Sequence, residues 1–99
     1  MVNEKHFPVL IASIQQYLDI NVSVSNETLI KALTEKIVYM LHYEMKKLMG
    51  LLYRIDVKEN LVKNAFSQQN PKLIAPLLAQ AIIDRELQKI VTRKQYKQK

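Results

Sequence analysis

The chain has 99 residues, a formal net charge of +6, one glycine, three prolines and no cysteine. A chain of this length folds as one domain, and it buries roughly 60–65% of its unfolded surface, enough for a core without covalent cross-links. The lack of cysteine excludes disulfides, thiolate metal sites and thiol nucleophiles. The scarcity of glycine disfavours hairpin turns and favours an all-α fold.

About four helices are predicted. Pro8 suits the first turn of a helix, where its missing N–H has no partner in any case, and the apolar residues after it predict a helix over 8–19. The segment 20–25 alternates β-branched and polar residues without helical periodicity, which predicts a connector. Ser25 is a favourable N-cap for the next helix.

The second predicted helix spans 26–54 and contains the only glycine, Gly50. Its apolar residues recur every three or four positions, so 25 residues cover seven turns. Because this phase does not slip at Gly50, we predict one uninterrupted helix. Its apolar side consists of Ile30, Leu33, Ile37, Leu41, Met45, Leu48, Leu52 and Ile55.

A glycine inside a helix costs roughly 0.5–1 kcal/mol relative to alanine, so Gly50 needs a reason. It projects almost opposite the apolar side, on the same face as Ala32, Tyr39 and Tyr43. Small residues admit a second backbone and tyrosines cover large areas. We therefore predict a contact surface for the first helix or for another copy of the protein. The alternative is an exposed tyrosine face with an incidental glycine.

The third predicted helix spans 57–67. Asp56 and Glu59 have the spacing of a capping box, which predicts that Asp56 starts this helix. Two long helices among about four predict a small antiparallel bundle: a single domain, 1–92, followed by a basic C-terminal tail, 93–99.

The fourth predicted helix spans 71–94, with Asn70 as its cap and Pro71 in its first turn. Pro76 either kinks this helix or begins its main segment. Apolar residues occur on two sides of it, which is typical of a central helix or of one shared between subunits. The side that we assign to a subunit interface contains Ile83, Leu87, Ile90 and Val91.

The sequence lacks the patterns that carry catalysis or metal binding. A single glycine excludes glycine-rich phosphate loops. His6 lies near the N-terminus, and His42 has no carboxylate or histidine three or four residues away. We therefore predict a non-enzymatic protein with no catalytic residue, no metal site and no cofactor.

Two charged residues fall on apolar sides of the predicted helices. Glu44 projects near the apolar side of the second helix, and Arg85 is in line with an apolar side of the fourth. Because buried charges are usually paired, a buried Glu44–Arg85 ion pair is one prediction. In the alternative, Arg85 extends to solvent and Glu44 pairs with Lys47, one turn further on.

The positive charge is concentrated at the C-terminus. Residues 93–99 contain four cations and no anion, against eleven cations and nine anions in 1–92. Such a tail is usually a solvated extension. In the alternative interpretation it contacts the phosphates and bases of a nucleic acid. The candidate contacts are Arg93, Lys94, Tyr96, Lys97 and Lys99.

The segment LLYRIDVKENL, followed further on by IIDRELQKIVTRKQY, resembles short uncharacterised all-helical bacterial proteins of the Bacteroidetes type. The similarity covers about residues 28–96. It implies a bacterial helical protein, and it implies no catalytic residue, cofactor or substrate.

The leading functional hypothesis is a helical protein–protein interaction or oligomerisation module, in its simplest form a cytoplasmic homodimer. The second is a nucleic-acid-associated accessory protein that uses the basic tail. No membrane association is expected, because the most apolar stretch, 73–83, is shorter than the roughly 20 residues of a membrane span.

Overall fold

The computed structural model describes the backbone of residues 6–20 and 26–97, and the side chains of 6–20 and 28–93. The predicted cap at Ser25 lies outside these residues. Over the described chain the regular structure is helical and no strand is present, which confirms the all-α prediction. The five helices of this part are α1 (Phe7–Gln15), α2 (Asn26–Tyr43), α3 (Met45–Ile55), α4 (Glu59–Phe66) and α5 (Pro71–Lys97).

The central helix is α5, because it packs against each of the other four. Its buried residues cover slightly more than half of its circumference, and the remaining side faces solvent. None of the described helices is both long enough and apolar enough to cross a membrane. The buried side of α5 consists of Ile74, Ala75, Leu78, Ala79, Ala81, Ile82, Ile83, Glu86 and Ile90.

This burial corrects the predicted subunit interface on the fourth helix. Ile83 and Ile90 belong to the core of a single chain and are closed to a second copy. Leu87 is half-buried, and Val91 is exposed. The two apolar sides read from the sequence are the edges of one wide buried side, whose middle Ile82 occupies.

The predicted helix over 26–54 consists of two helices that meet at Glu44. This residue has φ −140° and ψ 47°, outside the helical region. The helix does continue through Gly50, which lies inside α3 and has a negative φ. The prediction of an uninterrupted helix is therefore correct at Gly50 and wrong at Glu44.

Hydrogen bonds on both sides of Glu44 explain why the periodicity gave no sign of the break. The N–H of Glu44 donates to the carbonyl of Met40 at 2.8 Å, and the N–H of Leu48 donates to the carbonyl of Glu44 at 3.0 Å. The helical spacing is thus nearly preserved while the direction changes. Around the break Met40 is buried, Leu41 is half-buried against the core, and Met45 is exposed.

A Schellman motif at Asp56 ends α3. Asp56 has a left-handed backbone (φ 68°, ψ 48°), and its N–H donates to the carbonyls of Leu52 and Tyr53, both at 3.1 Å. The N–H of Val57 donates to the carbonyl of Leu52 at 3.1 Å and completes the motif. The predicted capping box is absent, because Asp56 closes α3 and α4 begins only at Glu59.

The start of α5 agrees with the prediction. The Oδ1 atom of Asn70 accepts a hydrogen bond from the backbone N–H of Lys72 at 3.0 Å, and Pro71 occupies the first helical position. Pro76 lies inside the helix and does not start it. The helix then continues into the basic segment 93–99, as far as Lys97.

Candidate functional site

Glu44 and Arg85 have different partners in the structure. Glu44 accepts a hydrogen bond from Lys47 Nζ at 2.9 Å, which confirms the alternative pairing. Arg85 donates from Nε to the backbone carbonyl of Asp56 at 3.1 Å and from Nη2 to its carboxylate at 3.2 Å. The predicted Glu44–Arg85 pair is therefore not formed.

The Glu44–Lys47 contact lies where α2 and α3 meet. The pKa of Lys47 is raised, first by its hydrogen bond to the Glu44 carboxylate and then by the charge of that carboxylate. The phenol of Tyr39 adds a smaller electrostatic contribution in the same direction to the pKa of Lys47. A side chain of α2 and one of α3 are thus close together across the bend.

A groove with a volume of about 470 Å³ runs along this side of α2 and α3. Its apolar floor contains Met40 and Leu51, both buried. Charged and aromatic side chains form its walls, and the exposed Gly50 also lines it. We call it the Gly50 groove; its walls include Tyr17, Asp19, Lys36, Glu44, Lys47 and Arg54.

Gly50 has no structural need for its missing side chain within the described chain. It is exposed, and a Cβ atom placed there meets no atom within 4 Å. Its negative φ suits any residue. The first helix does not use this space, and Ala32, predicted on the same face, is half-buried. The described fold therefore contains a destabilising helical glycine, and none of its residues occupies the space beside it.

Three exposed tyrosines lie on α2 and α3, the helices that carry most of the groove. The ring centres of Tyr39 and Tyr43 are 5.1 Å apart, and Lys36 Nζ lies 5.4 Å from the centre of the Tyr39 ring. Tyr43 is 76% exposed, and Tyr53, one turn after Gly50, is 87% exposed. These rings present free faces to a binding partner.

Tyr17, which helical periodicity does not distinguish, joins two grooves. It lines the Gly50 groove and a second groove of about 560 Å³ between α1 and α5, the α1–α5 groove. The guanidinium carbon of Arg54 lies 5.4 Å and Lys89 Nζ 6.0 Å from the centre of its ring. Cations from α3 and α5 meet at this tyrosine only because of the tertiary packing, which no local pattern encodes.

Glu86 in the α1–α5 groove is the only buried charged residue among those described. It is 1% exposed, and Ser13 Oγ donates to its Oε1 atom at 2.5 Å. Lys89 Nζ lies 2.8 Å from Oε2, but without hydrogen-bond geometry, so charge attraction holds that oxygen. The sequence could have indicated that Glu86 is buried, because it lies four residues from both Ile82 and Ile90 on the buried side of α5.

The proposed nucleic-acid contacts lie at the end of α5. Arg93 is exposed and lines the α1–α5 groove. Lys94, Tyr96 and Lys97 follow it on the same helix. Their side chains, and all of Lys99, lie outside the described residues.

Side chains of the types that ligate metals are dispersed over the described residues. No group of three His, Asp or Glu side chains comes together among them to hold a metal ion. His42, exposed, contacts only the backbone carbonyl of Val38 through Nδ1, at 2.8 Å, and the ring of Tyr43.

Comparisons with known protein families, curated proteins and solved structures gave no match for the chain. The resemblance to Bacteroidetes-type helical proteins therefore stays a prediction.

Proposed function

We propose that the protein is a non-enzymatic helical interaction module that binds its partner at the Gly50 groove. The observation that carries this proposal is the unexplained glycine at position 50, inside α3. It costs the helix roughly 0.5–1 kcal/mol relative to alanine, and nothing in the described fold requires it. A partner that enters the groove makes use of the open position.

The groove also has the composition of a contact site. Tyrosine, methionine and arginine are enriched at protein interfaces. Met40 lies in its floor and Arg54 in its wall, and the exposed Tyr43 and Met45 lie beside the bend. An apolar floor inside a polar rim is the usual layout of such surfaces.

A protein partner is the first candidate. A second copy of the chain, which the sequence predicts, would have to meet a face of α3 with three cations and no acid, so a partner of different sequence is favoured over a symmetric homodimer. We also predict that the long helices are antiparallel and that the protein is cytoplasmic.

The substitution Gly50→Ala tests the proposal. Because the added methyl group meets no atom within 4 Å, we expect the free energy of unfolding to rise by about 0.5–1 kcal/mol. Partner binding should weaken, because the methyl group enters the groove. Asn64→Ala is the matched control: it raises helix propensity at an exposed position of α4, away from the groove.

Binding is measured in two ways. Light scattering over a dilution series measures the molar mass. A homodimer would change from the mass of two chains to that of one on dilution, and Gly50→Ala should dissociate at a higher protein concentration than the wild type. Cross-linking in a host extract reports a different protein, which Gly50→Ala should retain less than the wild type and Asn64→Ala. Equal retention by all three would exclude the groove as the contact site.

A further inference from the structure

The net charge of the chain comes from two segments. Residues 36–54 contain four cations and one anion, and residues 93–99 contain four cations and no anion. The remaining residues have seven cations and eight anions, so the two segments contribute +7 and the rest of the chain −1. They are about 40 residues apart in the sequence, and only the fold can bring them together.

Tyr17 connects the two positive segments. In the Gly50 groove it shares the wall with Lys36 and Arg54, and in the α1–α5 groove it shares the wall with Lys89 and Arg93. Arg54 and Lys89 each lie within 6.0 Å of its ring centre. The two grooves therefore meet at Tyr17, and together they define a path from the bend of α2 and α3 towards Arg93 of α5.

Aromatic rings alternate with cations along this path. The Tyr39–Tyr43 pair lies at one end, with Lys36 against it. Tyr17 lies in the middle, between the two grooves, and Arg93 lies towards the other end. A row of cations neutralises successive phosphates, and exposed aromatic rings stack on bases that are not paired.

A second copy of the chain fits this path poorly. Between Met45 and Ile55, α3 has three cations and no acid. A symmetric contact through α3 would bring like charges together, which disfavours that pairing. The two acids in the Gly50 groove do not reverse its sign, because Glu44 is paired with Lys47 and only Asp19 remains.

We propose that single-stranded nucleic acid binds along this path, from Tyr39 and Tyr43 through the Gly50 groove and across Tyr17 to Arg93. The proposal rests on the proposed function in one respect, that the Gly50 groove is a contact surface. Phosphates lie against Lys36, Arg54 and Arg93, and bases stack on the exposed rings of Tyr39 and Tyr43. Gly50 leaves room for the strand, because no atom lies within 4 Å of the position of its missing Cβ. An acidic peptide would satisfy the cations but would leave the ring faces without a flat partner.

The test is fluorescence anisotropy with the full chain and labelled single strands of about 20 nucleotides, oligothymidine and oligouridine, over about 50–200 mM salt. The same length of duplex DNA is the comparison. We expect the single strands to bind more tightly than the duplex, because paired bases do not offer their faces to tyrosine. The logarithm of the binding constant should fall linearly with the logarithm of salt concentration.

Substitutions on the path distinguish it from general attraction. Arg54→Gln should reduce the salt slope by about 0.7, the value for one phosphate contact on a single strand. Tyr43→Ala should weaken binding about tenfold, through the loss of one stacked base. Lys63→Gln and Lys72→Gln are the controls, because each removes one exposed cation away from both grooves. Circular dichroism confirms that each variant is folded.

Each contrary result rejects the proposal. Absence of binding at the lowest salt would reject it, and so would equal losses in Arg54→Gln and Lys72→Gln. Binding that needs 93–99 but is indifferent to Tyr43→Ala would assign the contact to the C-terminal segment alone. A polyglutamate peptide that binds as tightly, with the same dependence on Tyr43, would indicate an acidic protein partner instead. If the strands do not bind but Gly50→Ala still loses a protein partner, this inference fails and the proposed function stands.

Discussion

Arg85 of α5 fixes the turn that ends α3 by binding one residue of that turn, Asp56, twice. Its Nε donates to the backbone carbonyl of Asp56 at 3.1 Å and its Nη2 to the carboxylate at 3.2 Å. The oxygen atoms that receive these bonds belong to a residue in the left-handed conformation. The central helix thus contacts the turn at which the chain leaves α3, the helix that carries Gly50.

Substitutions at Asp56 separate the backbone conformation from the ion pair. Asp56→Ala should lower the free energy of unfolding by about 1–2 kcal/mol, because alanine is strained in the left-handed region. Asp56→Gly should match or exceed the wild type, since glycine is favoured there. The lost ion pair matters little, because the carboxylate is 80% exposed and such pairs contribute about 0–1 kcal/mol. Urea unfolding measures the free energy of unfolding of both variants. A glycine variant less stable than the alanine variant would contradict the role given to the left-handed backbone.

The fold was predictable from the sequence where one local signal determines an element. The cap at Asn70 and Pro71 gave the start of α5, and helical spacing gave the passage through Gly50. The break at Glu44 was not predictable, because the backbone hydrogen bonds around it preserve the spacing that periodicity measures. Asp56 was misassigned since an acid before a helix and an acid in a left-handed turn look alike in sequence.

The candidate site was predictable to the same extent. The sequence placed Tyr39, Tyr43 and Gly50 on one side, and all three are exposed in the structure. Tyr17 could not be found, because its partners come from α3 and α5, and their approach is a property of the packing. Glu86 could have been found from its position among apolar residues of α5.

The contacts of Glu86 predict an asymmetry between breaking and replacing the buried charge. Lys89→Met leaves Ser13 as the only partner of the Glu86 carboxylate. We expect the free energy of unfolding to fall by about 2–3 kcal/mol. This is less than the loss expected for a fully buried ion pair, because Lys89 is partly exposed. The double variant Glu86→Leu with Lys89→Met should recover most of this loss, because apolar replacement of both partners is nearly neutral. A double variant no better than Lys89→Met would show that the pair itself stabilises the fold.

The Glu44–Lys47 contact predicts a change in the pKa of one lysine. In Glu44→Gln the pKa of Lys47 should fall towards its ordinary value, because the hydrogen bond to a carboxylate and its charge are the main causes of the rise. A raised folded pKa stabilises the fold fully below the ordinary lysine pKa. That stabilisation is lost as pH increases through the raised folded value, so the contact acts at neutral pH and fails only in strongly basic solution.

NMR titration of the Lys47 side chain, in the wild type and in Glu44→Gln, measures this pKa directly. Glu35→Gln is a matched control, because it removes one exposed carboxylate of α2 without touching the contact. We expect the pKa of Lys47 to be the same in that variant as in the wild type. An equal fall in both variants would mean that the general charge of α2, rather than the hydrogen bond, raises the Lys47 pKa.

The two prolines of α5 should differ in their effect on stability. Pro76 lies inside the helix, where its ring removes the N–H that would bond to the carbonyl of Lys72. Pro76→Ala should therefore raise the free energy of unfolding by about 2 kcal/mol, which is the roughly 3 kcal/mol cost of an interior proline less the entropy gained by the unfolded chain. Pro76 is exposed, so no packing is lost. Pro71→Ala is the control at the first helical position, where no such bond exists, and it should give no gain. Urea unfolding of both variants decides the matter, since equal effects would mean that α5 has already adapted to Pro76 without losing stability.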